Sequence, residues 1–176
     1  SVVGVHFESE KYDLDEIVLD ARDVSVDSVW TDAGSSVFQQ GDTTITVEID
    51  PPLGNGDTLT VWLSSSSTPI YHFRWDMQYQ GHSSHYSVGM SENSIQYIFP
   101  CREEIWDKAN FTGHFTVADG LSALSCGQLD SVSSSGNRTT WHWSHPWDIS
   151  LYVWSVVISD FTEYSDTDIP WISYYA

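Results

Sequence analysis

The chain has 176 residues with 25 Asp plus Glu against six Lys plus Arg, a formal net charge of −19. That balance speaks against nucleic acid as a partner, because phosphates would be repelled and six basic side chains cannot offset them, and it disfavours an anchor on anionic lipid for the same reason. With 40% hydrophobic residues the chain can build a real core, and its length suits one domain of ordinary size.

The first strand candidates are Ile17-Val18-Leu19 and Val24-Ser25-Val26. Ile45-Val47-Ile49 alternates with polar residues, the period of a half-buried strand. The run Pro51-Pro52-Leu53-Gly54-Asn55-Gly56-Asp57 is expected to stop that strand, since proline cannot donate to a ladder and Gly and Asn tolerate positive φ. Leu59-Val61-Leu63 restores the alternation, and Ser64 to Ser67 reads as a polar turn. Residues 91–97 and 103–109 are long enough for one helical turn each. Phe111-Gly113-Phe115-Val117 is a further alternating strand, Ser131 to Asn137 reads as a Ser-rich loop, and Tyr152 to Ile158 reads as a central strand covered on both faces. No segment has helical periodicity over several turns. Short strands separated by turn residues predict an all-β fold of sandwiched sheets. No repeat and no linker divides the chain, so a single domain over 1–176 is expected.

No apolar run reaches 18 residues, so no membrane span is expected. The start Ser1-Val2-Val3-Gly4 has no signal-peptide pattern, though a leader already removed would leave the same start. The acidity suits a strongly hydrated surface or a high-salt or extracellular setting. Asn110-Phe111-Thr112 and Asn137-Arg138-Thr139 match the glycosylation acceptor pattern, and the expectation leans toward a secreted or cell-surface protein. Cys101 and Cys126 are too few for a disulfide scaffold, and one bridge or two free thiols remain open.

Chemistry-bearing patterns are sparse. The sequence lacks His-Glu-x-x-His, Gly-x-Ser-x-Gly and a glycine-rich phosphate loop. His82-Ser-Ser-His85 and His142-Trp-Ser-His145 each space two imidazoles three apart, which on a strand sends them to opposite faces; solvated histidines without metal are expected, and no metal ligand is assigned. Asp166-Thr167-Asp168 and Asp13 to Glu16 are acidic but lack the ligand spacing of a calcium loop. Trp141, Trp143 and Trp147 are either core fillers or an aromatic platform for sugar rings.

One stretch goes beyond composition. Ile98-Phe99-Pro100-Cys101-Arg102-Glu103-Glu104-Ile105-Trp106-Asp107-Lys108-Ala109-Asn110-Phe111 resembles the Phe-Pro-Cys-x-Asp-x-Pro-x-x-Lys-Ala-x-Phe signature of the N-terminal domain in M1-family zinc aminopeptidases, the family of leukotriene A4 hydrolase. The order of further segments agrees: 15–21 resembles an early strand of that domain, 121–127 its Leu-x-Ala-x-Ser-Asn-Gly segment, 138–143 a strand before a Pro-x-x-x-Tyr-Leu segment (here 146–153), and Ser159-Asp160-Phe161 its Gly-Asp-Phe. The resemblance runs over roughly residues 4 to 175.

The resemblance implies a saddle-like, antiparallel or mixed multi-sheet β domain that is not itself catalytic. In cis it would pack against a zinc domain and line a cleft for peptide substrates, with its first strands missing and the catalytic domain following. Zinc, activating water with a Glu as general base, is expected in that missing domain and no cofactor in this chain, so the chain alone is expected to lack peptidase activity. Phe99, Pro100, Cys101 and Lys108 would be structural positions of the motif. In the family a Gln and a Glu just before it help hold the substrate's α-amino group; here the region reads Ser87-Val88-Gly89-Met90-Ser91-Glu92-Asn93-Ser94-Ile95-Gln96, with no Gln in the expected place and Gln96 where Arg is usual. Glu92, flanked by Ser91, Met90 and Gly89, remains the one carboxylate for substrate binding. The motif's Asp-x-Pro is Glu103-Glu104-Ile105. Alternatives are a pseudo-peptidase's domain, or a secreted Trp-rich β sandwich that binds carbohydrate or protein.

Overall fold

A computed structural model describes residues 1–32, 34–67, 85–89, 95–169 and 173–175, with backbone alone for 85–89 and 174. The strands in chain order are β1 Val2–Glu8, β2 Leu14–Asp20, β3 Val24–Thr31, β4 Gly34–Ser35, β5 Phe38–Gln40, β6 Thr44–Leu53, β7 Thr58–Ser67 and β8 His85–Gly89. They continue as β9 Lys108–Ala118, β10 Ser122–Ser125, β11 Gln128–Ser135, β12 Arg138–Ser150, β13 Ser155–Ser159, β14 Glu163–Ser165 and β15 Ser173–Tyr175. Short 3-10 turns lie at Ile95–Tyr97 and Leu151–Val153. The fold is all-β, as expected, and among the described residues no helix is long and apolar enough to cross a membrane.

The backbone packs as two compact units, one taking residues 1–72, 91–107 and 150–152, the other 73–90, 108–149 and 153–176. The first unit holds two sheets, in the orders β1-β7-β3-β4 and β2-β6-β5. Their buried faces follow the alternation read from sequence: Ile45, Val47 and Ile49 on β6, Val61 and Leu63 on β7, Val26 and Val29 on β3, with Leu19 and Ala21, form one core cluster. Period-2 alternation sends these residues to one face, so two amphipathic sheets can bury them together. Gln40 of β5 then ties the sheets: its amide oxygen accepts from Val26 N at 3.1 Å and its amide nitrogen donates to Val24 O, beside the bulge between Val26 and Ser28. β4 covers only Trp30 and Thr31 of β3, so among the described residues the outer edge at Val24 and Val26 lacks a neighbouring strand and the side-chain amide supplies the partners there.

Two expectations of turns are corrected. Ser64 to Ser67 is not a turn but the end of β7, with Ser65 buried. β7 lies between β1 and β3, and at Ser64 it pairs with Val2 on one side and Ser28 on the other. A two-sided ladder outweighs the turn preference of serine. Pro51 and Pro52 do not end β6, which runs to Leu53 and pairs it with Leu14. β5 reaches no further along β6 than Val47, opposite Phe38, and Pro51 and Pro52 fall in the register shift between Leu14 and Glu16 of β2, where a missing N–H is tolerated. The turn itself is Gly54 to Asp57, closed by Gly54 N donating to Asp57 Oδ2 at 2.7 Å.

The second unit holds sheets in the orders β11-β12-β9 and β10-β13-β8, and the β14-β15 hairpin. Phe111, Gly113, Phe115 and Val117 occupy the inner positions of β9 as the alternation predicts. Phe111 meets Trp154 edge-on at 6.1 Å between ring centroids, and Phe115 lies tilted to the same indole at 6.2 Å. Trp143 is buried and its indole N–H donates to Ala123 O at 2.9 Å, joining β12 to β10. The Ser-rich stretch after Gln128 is a strand rather than a loop: β11 pairs with β12 from Gln128↔Ser144 to Ser135↔Arg138, and Gly136-Asn137 alone makes the turn, with Gly136 at φ 62°. A two-residue hairpin with glycine first sets this register without help from an apolar pattern. Residues 152–158 divide: Tyr152 and Val153 belong to a 3-10 turn, and Ser155–Ser159 alone is the strand, central between β10 and β8. Residues 103–109 make no helical turn; Glu104 O accepts from Asp107 N at 3.0 Å in a tight turn, and β9 begins at Lys108.

Candidate functional site

The segment 95–103 is held against the end of β2 by paired backbone and carboxylate bonds. Asp20 and Cys101 exchange both backbone hydrogen bonds, at 2.7 and 3.0 Å, an isolated antiparallel bridge. The Asp20 carboxylate accepts from Glu103 N at 3.0 Å. The Glu103 carboxylate in turn accepts from Ile95 N at 3.1 Å and Gln96 N at 3.2 Å. These are the first two N–H groups of the 3-10 turn, which have no partner within it. Arg22 adds a third tie: its N donates to Gln96 O at 2.9 Å, its guanidinium donates to Tyr97 Oη at 3.3 Å, and it lies 5.8 Å from the Tyr97 ring centroid.

Inside this frame Ile95, Gln96, Pro100 and Cys101 are buried, and Phe99 is half-buried with its N–H directed to Ile95 O at 3.3 Å. Burial pushes the Cys101 thiol far above its ordinary value, and the nearby carboxylates of Glu103 and Asp20 raise it further. A thiol so held stays protonated and inert, so this cysteine packs rather than reacts. Both cysteines are free thiols. Lys108 is exposed at the first position of β9. Arg102 Nε pairs with Asp107 Oδ2 at 3.0 Å across the intervening turn, an exposed pair of small energetic weight.

Of the residues expected to bind substrate, Gly89 is the last residue of β8, opposite Ser155 of β13. Met90, Ser91 and Glu92 lie outside the described residues, as does His82. The frame residues Asp20, Arg22 and Glu103 carry no role in the sequence reading. Their side chains are polar residues among many, and only the fold brings positions 20 and 103 together. The Glu at the motif's Asp position keeps a carboxylate, and that carboxylate caps the segment following 91–94. Glu103→Ala is expected to cost about 1–3 kcal/mol by leaving two backbone N–H groups without their acceptor. Amide exchange at Ile95 and Gln96 should rise while β7 stays protected; unchanged protection at both amides contradicts the capping role.

The aromatic and acidic patterns separate. Trp143 is buried in the core and Trp147 is 76% exposed, so they share no platform for a sugar ring. The Asp166 carboxylate accepts from Asp168 N and Ile169 N at 2.8 and 2.7 Å, closing a local turn. Among the described residues no group of three or more His, Cys, Asp or Glu side chains is placed to hold a metal ion. His145 turns to Trp147 O at 2.8 Å and stacks on Phe111, whereas His142 meets His114 of β9.

No family model and no curated protein matches the sequence. Solved structures do match. The M1 zinc metallopeptidase of Deinococcus radiodurans superposes with a TM-score of 0.80 at 18% identity, over 99% of this chain and 41% of that one. A mutant of the same metallopeptidase bound to a Tyr-Ser-Ala substrate gives 0.80 at 17% identity with the same coverage. Yeast LTA4 hydrolase gives 0.79 at 16% identity, over 99% of this chain and 28% of that one. The chain thus spans well under half the length of these proteins. Its fold matches the β-rich N-terminal domain of M1 zinc metallopeptidases, the likeness expected from the motifs around Phe99-Pro100-Cys101.

Proposed function

We propose that the chain is the non-catalytic N-terminal β domain of an M1-type zinc aminopeptidase, packing in cis against the zinc domain and lining one side of the substrate cleft. The observation that carries this reading is the fold likeness over 99% of the chain to zinc metallopeptidases of which it covers only 41%. The motif supports it independently: Phe99, Pro100 and Cys101 sit on the segment tied to Asp20 and Glu103, and the stretch that precedes it in sequence contains Glu92. A single domain over 1–176 is part of the proposal.

The chain's share of the chemistry is positional. Zinc, when bound in the partner domain, would polarise the scissile carbonyl and activate water. The described residues offer it no cluster of ligands, and no step is assigned to a metal here. What this chain contributes is a carboxylate, Glu92, for the ammonium of a peptide N-terminus. An ammonium–carboxylate hydrogen bond is charge-assisted and fixes the peptide's end relative to the reacting bond. In the Deinococcus radiodurans protein the bound peptide is Tyr-Ser-Ala, the kind of substrate proposed here.

The test is the coding sequence beyond Ala176 and the product it encodes. A His-Glu-x-x-His helix should follow, and the longer protein should release N-terminal residues from aminoacyl-p-nitroanilides. Glu92→Gln in it should raise KM for the free-amine substrate roughly tenfold or more, the weight of a charge-assisted bond of ~1.5–3 kcal/mol. A downstream sequence with no metallopeptidase-like region removes the proposal. A region of that fold lacking the zinc ligands leaves the domain assignment and makes the parent a pseudo-peptidase.

A further inference from the structure

The β11-β12-β9 sheet carries a polar face built on hydroxyls and two imidazoles. Thr116 and Thr140 touch through their hydroxyls at 2.9 Å. Beside them His114 and His142 bring their Nδ1 atoms to 2.8 Å, with ring centroids 4.8 Å apart and planes inclined at 65°. His142 Nε2 is held by Ser133 Oγ of β11 at 2.9 Å. His114 is exposed and His142 half-buried, so the pair is open to solvent. Next along the same face of β12, Ser144 donates to Asp130 Oδ1 at 3.0 Å.

We propose that His114 Nδ1 and His142 Nδ1 form a two-imidazole site for a divalent transition metal, with copper(II) preferred and water completing the coordination. The proposal stands apart from the peptidase reading and rests on the distance between the two nitrogens. Ligand nitrogens about 2.0–2.1 Å from one metal stand about 2.9 Å apart at a right angle and about 3.3 Å apart at the tetrahedral angle. The observed 2.8 Å is the length of the hydrogen bond that joins the two rings without metal, and it sets both nitrogens close enough to share one ion after a small shift. Copper(II) stands highest in divalent affinity for nitrogen sites.

Without metal, one Nδ1 donates its hydrogen to the other. With metal, both Nδ1 lone pairs point to the ion and each ring carries its hydrogen on Nε2. Ser133 Oγ accepts from His142 Nε2–H in that tautomer, so the hydroxyl orients the ring and frees the coordinating atom. Two adjacent strands fix the two ligands, which lowers the ordering cost of binding. The net charge of −19 draws cations to the surface without choosing among them.

The test is a titration of the 176-residue chain with copper(II) in a non-chelating buffer, read by calorimetry and electron paramagnetic resonance. The wild type should take up copper(II) in a tetragonal site with two nitrogen ligands, at least about tenfold more tightly than zinc(II). His114→Ala and His142→Ala should each weaken that binding about tenfold or more, Ser133→Ala should weaken it severalfold with both ligands kept, and His6→Ala should leave it unchanged. On the unsubstituted chain, substoichiometric copper(II) should broaden the His114 and His142 ring resonances before those of any other histidine, a readout that needs no variant to fold. Copper affinity that survives both histidine replacements, zinc binding as tight as copper, or first broadening at another histidine overturns the site.

Discussion

Trp143→Ala is expected to destabilise the second unit by about 3–5 kcal/mol, the range for removing a buried large aromatic. Trp143 is 8% exposed and its indole N–H donates to Ala123 O at 2.9 Å, so the change opens a cavity and leaves a carbonyl without its donor. Ala123 is fully buried and its neighbour Leu124 pairs with Val157 at the centre of the β10–β13 ladder. Trp143→Phe separates the two contributions. It keeps most of the ring and loses the hydrogen bond, so it should recover about half of the loss or more. Urea denaturation gives the totals, and amide exchange should show lost protection first in β10 and β12. A loss under about 1 kcal/mol for the alanine variant would show that the indole does not join these sheets.

Leu63→Ala should be of similar size in the first unit, about 3–5 kcal/mol. The side chain is fully buried, and β7 is bonded on both sides, with Leu63 opposite Val3 of β1 and Val29 of β3. Neighbours held by two ladders cannot easily close a cavity, so the upper part of the range applies. Val18→Ala is the matched control: Val18 lies on β2 of the same unit but is 51% exposed, and should change stability by no more than about 0.5 kcal/mol. Thermal or urea unfolding checks both. Equal effects at the two positions would place the core elsewhere than between these sheets.

The mount at 95–103 has a bearing on how a degenerate motif keeps its shape. The family-like Asp-x-Pro is lost at Glu103-Glu104-Ile105, yet the turn from Glu104 to Asp107 closes through a backbone bond of 3.0 Å, and Glu103 spans two N–H groups. Proline would have lowered the entropy of the open loop. Here a carboxylate supplies order by hydrogen bonding instead. With one oxygen on Ile95 N and the other on Gln96 N, Glu103 positions the segment.

Sequence alone determined the all-β class and the inner faces of β6, β7 and β9, because period-2 burial is a local consequence of the strand: neighbouring side chains must point opposite ways. The motif around Phe99-Pro100-Cys101 pointed to the fold that the solved structures share. Tertiary structure decided the rest. Ser64–Ser67 and the serines of β11 became strands because a ladder on a neighbouring strand, or a two-residue hairpin, offered bonds that their own composition does not advertise. Asp20 met Glu103, and His114 met His142, across 83 and 28 residues of chain. Such pairings depend on which strands lie side by side. That ordering is set by burial over the whole unit, so no local pattern could have shown it.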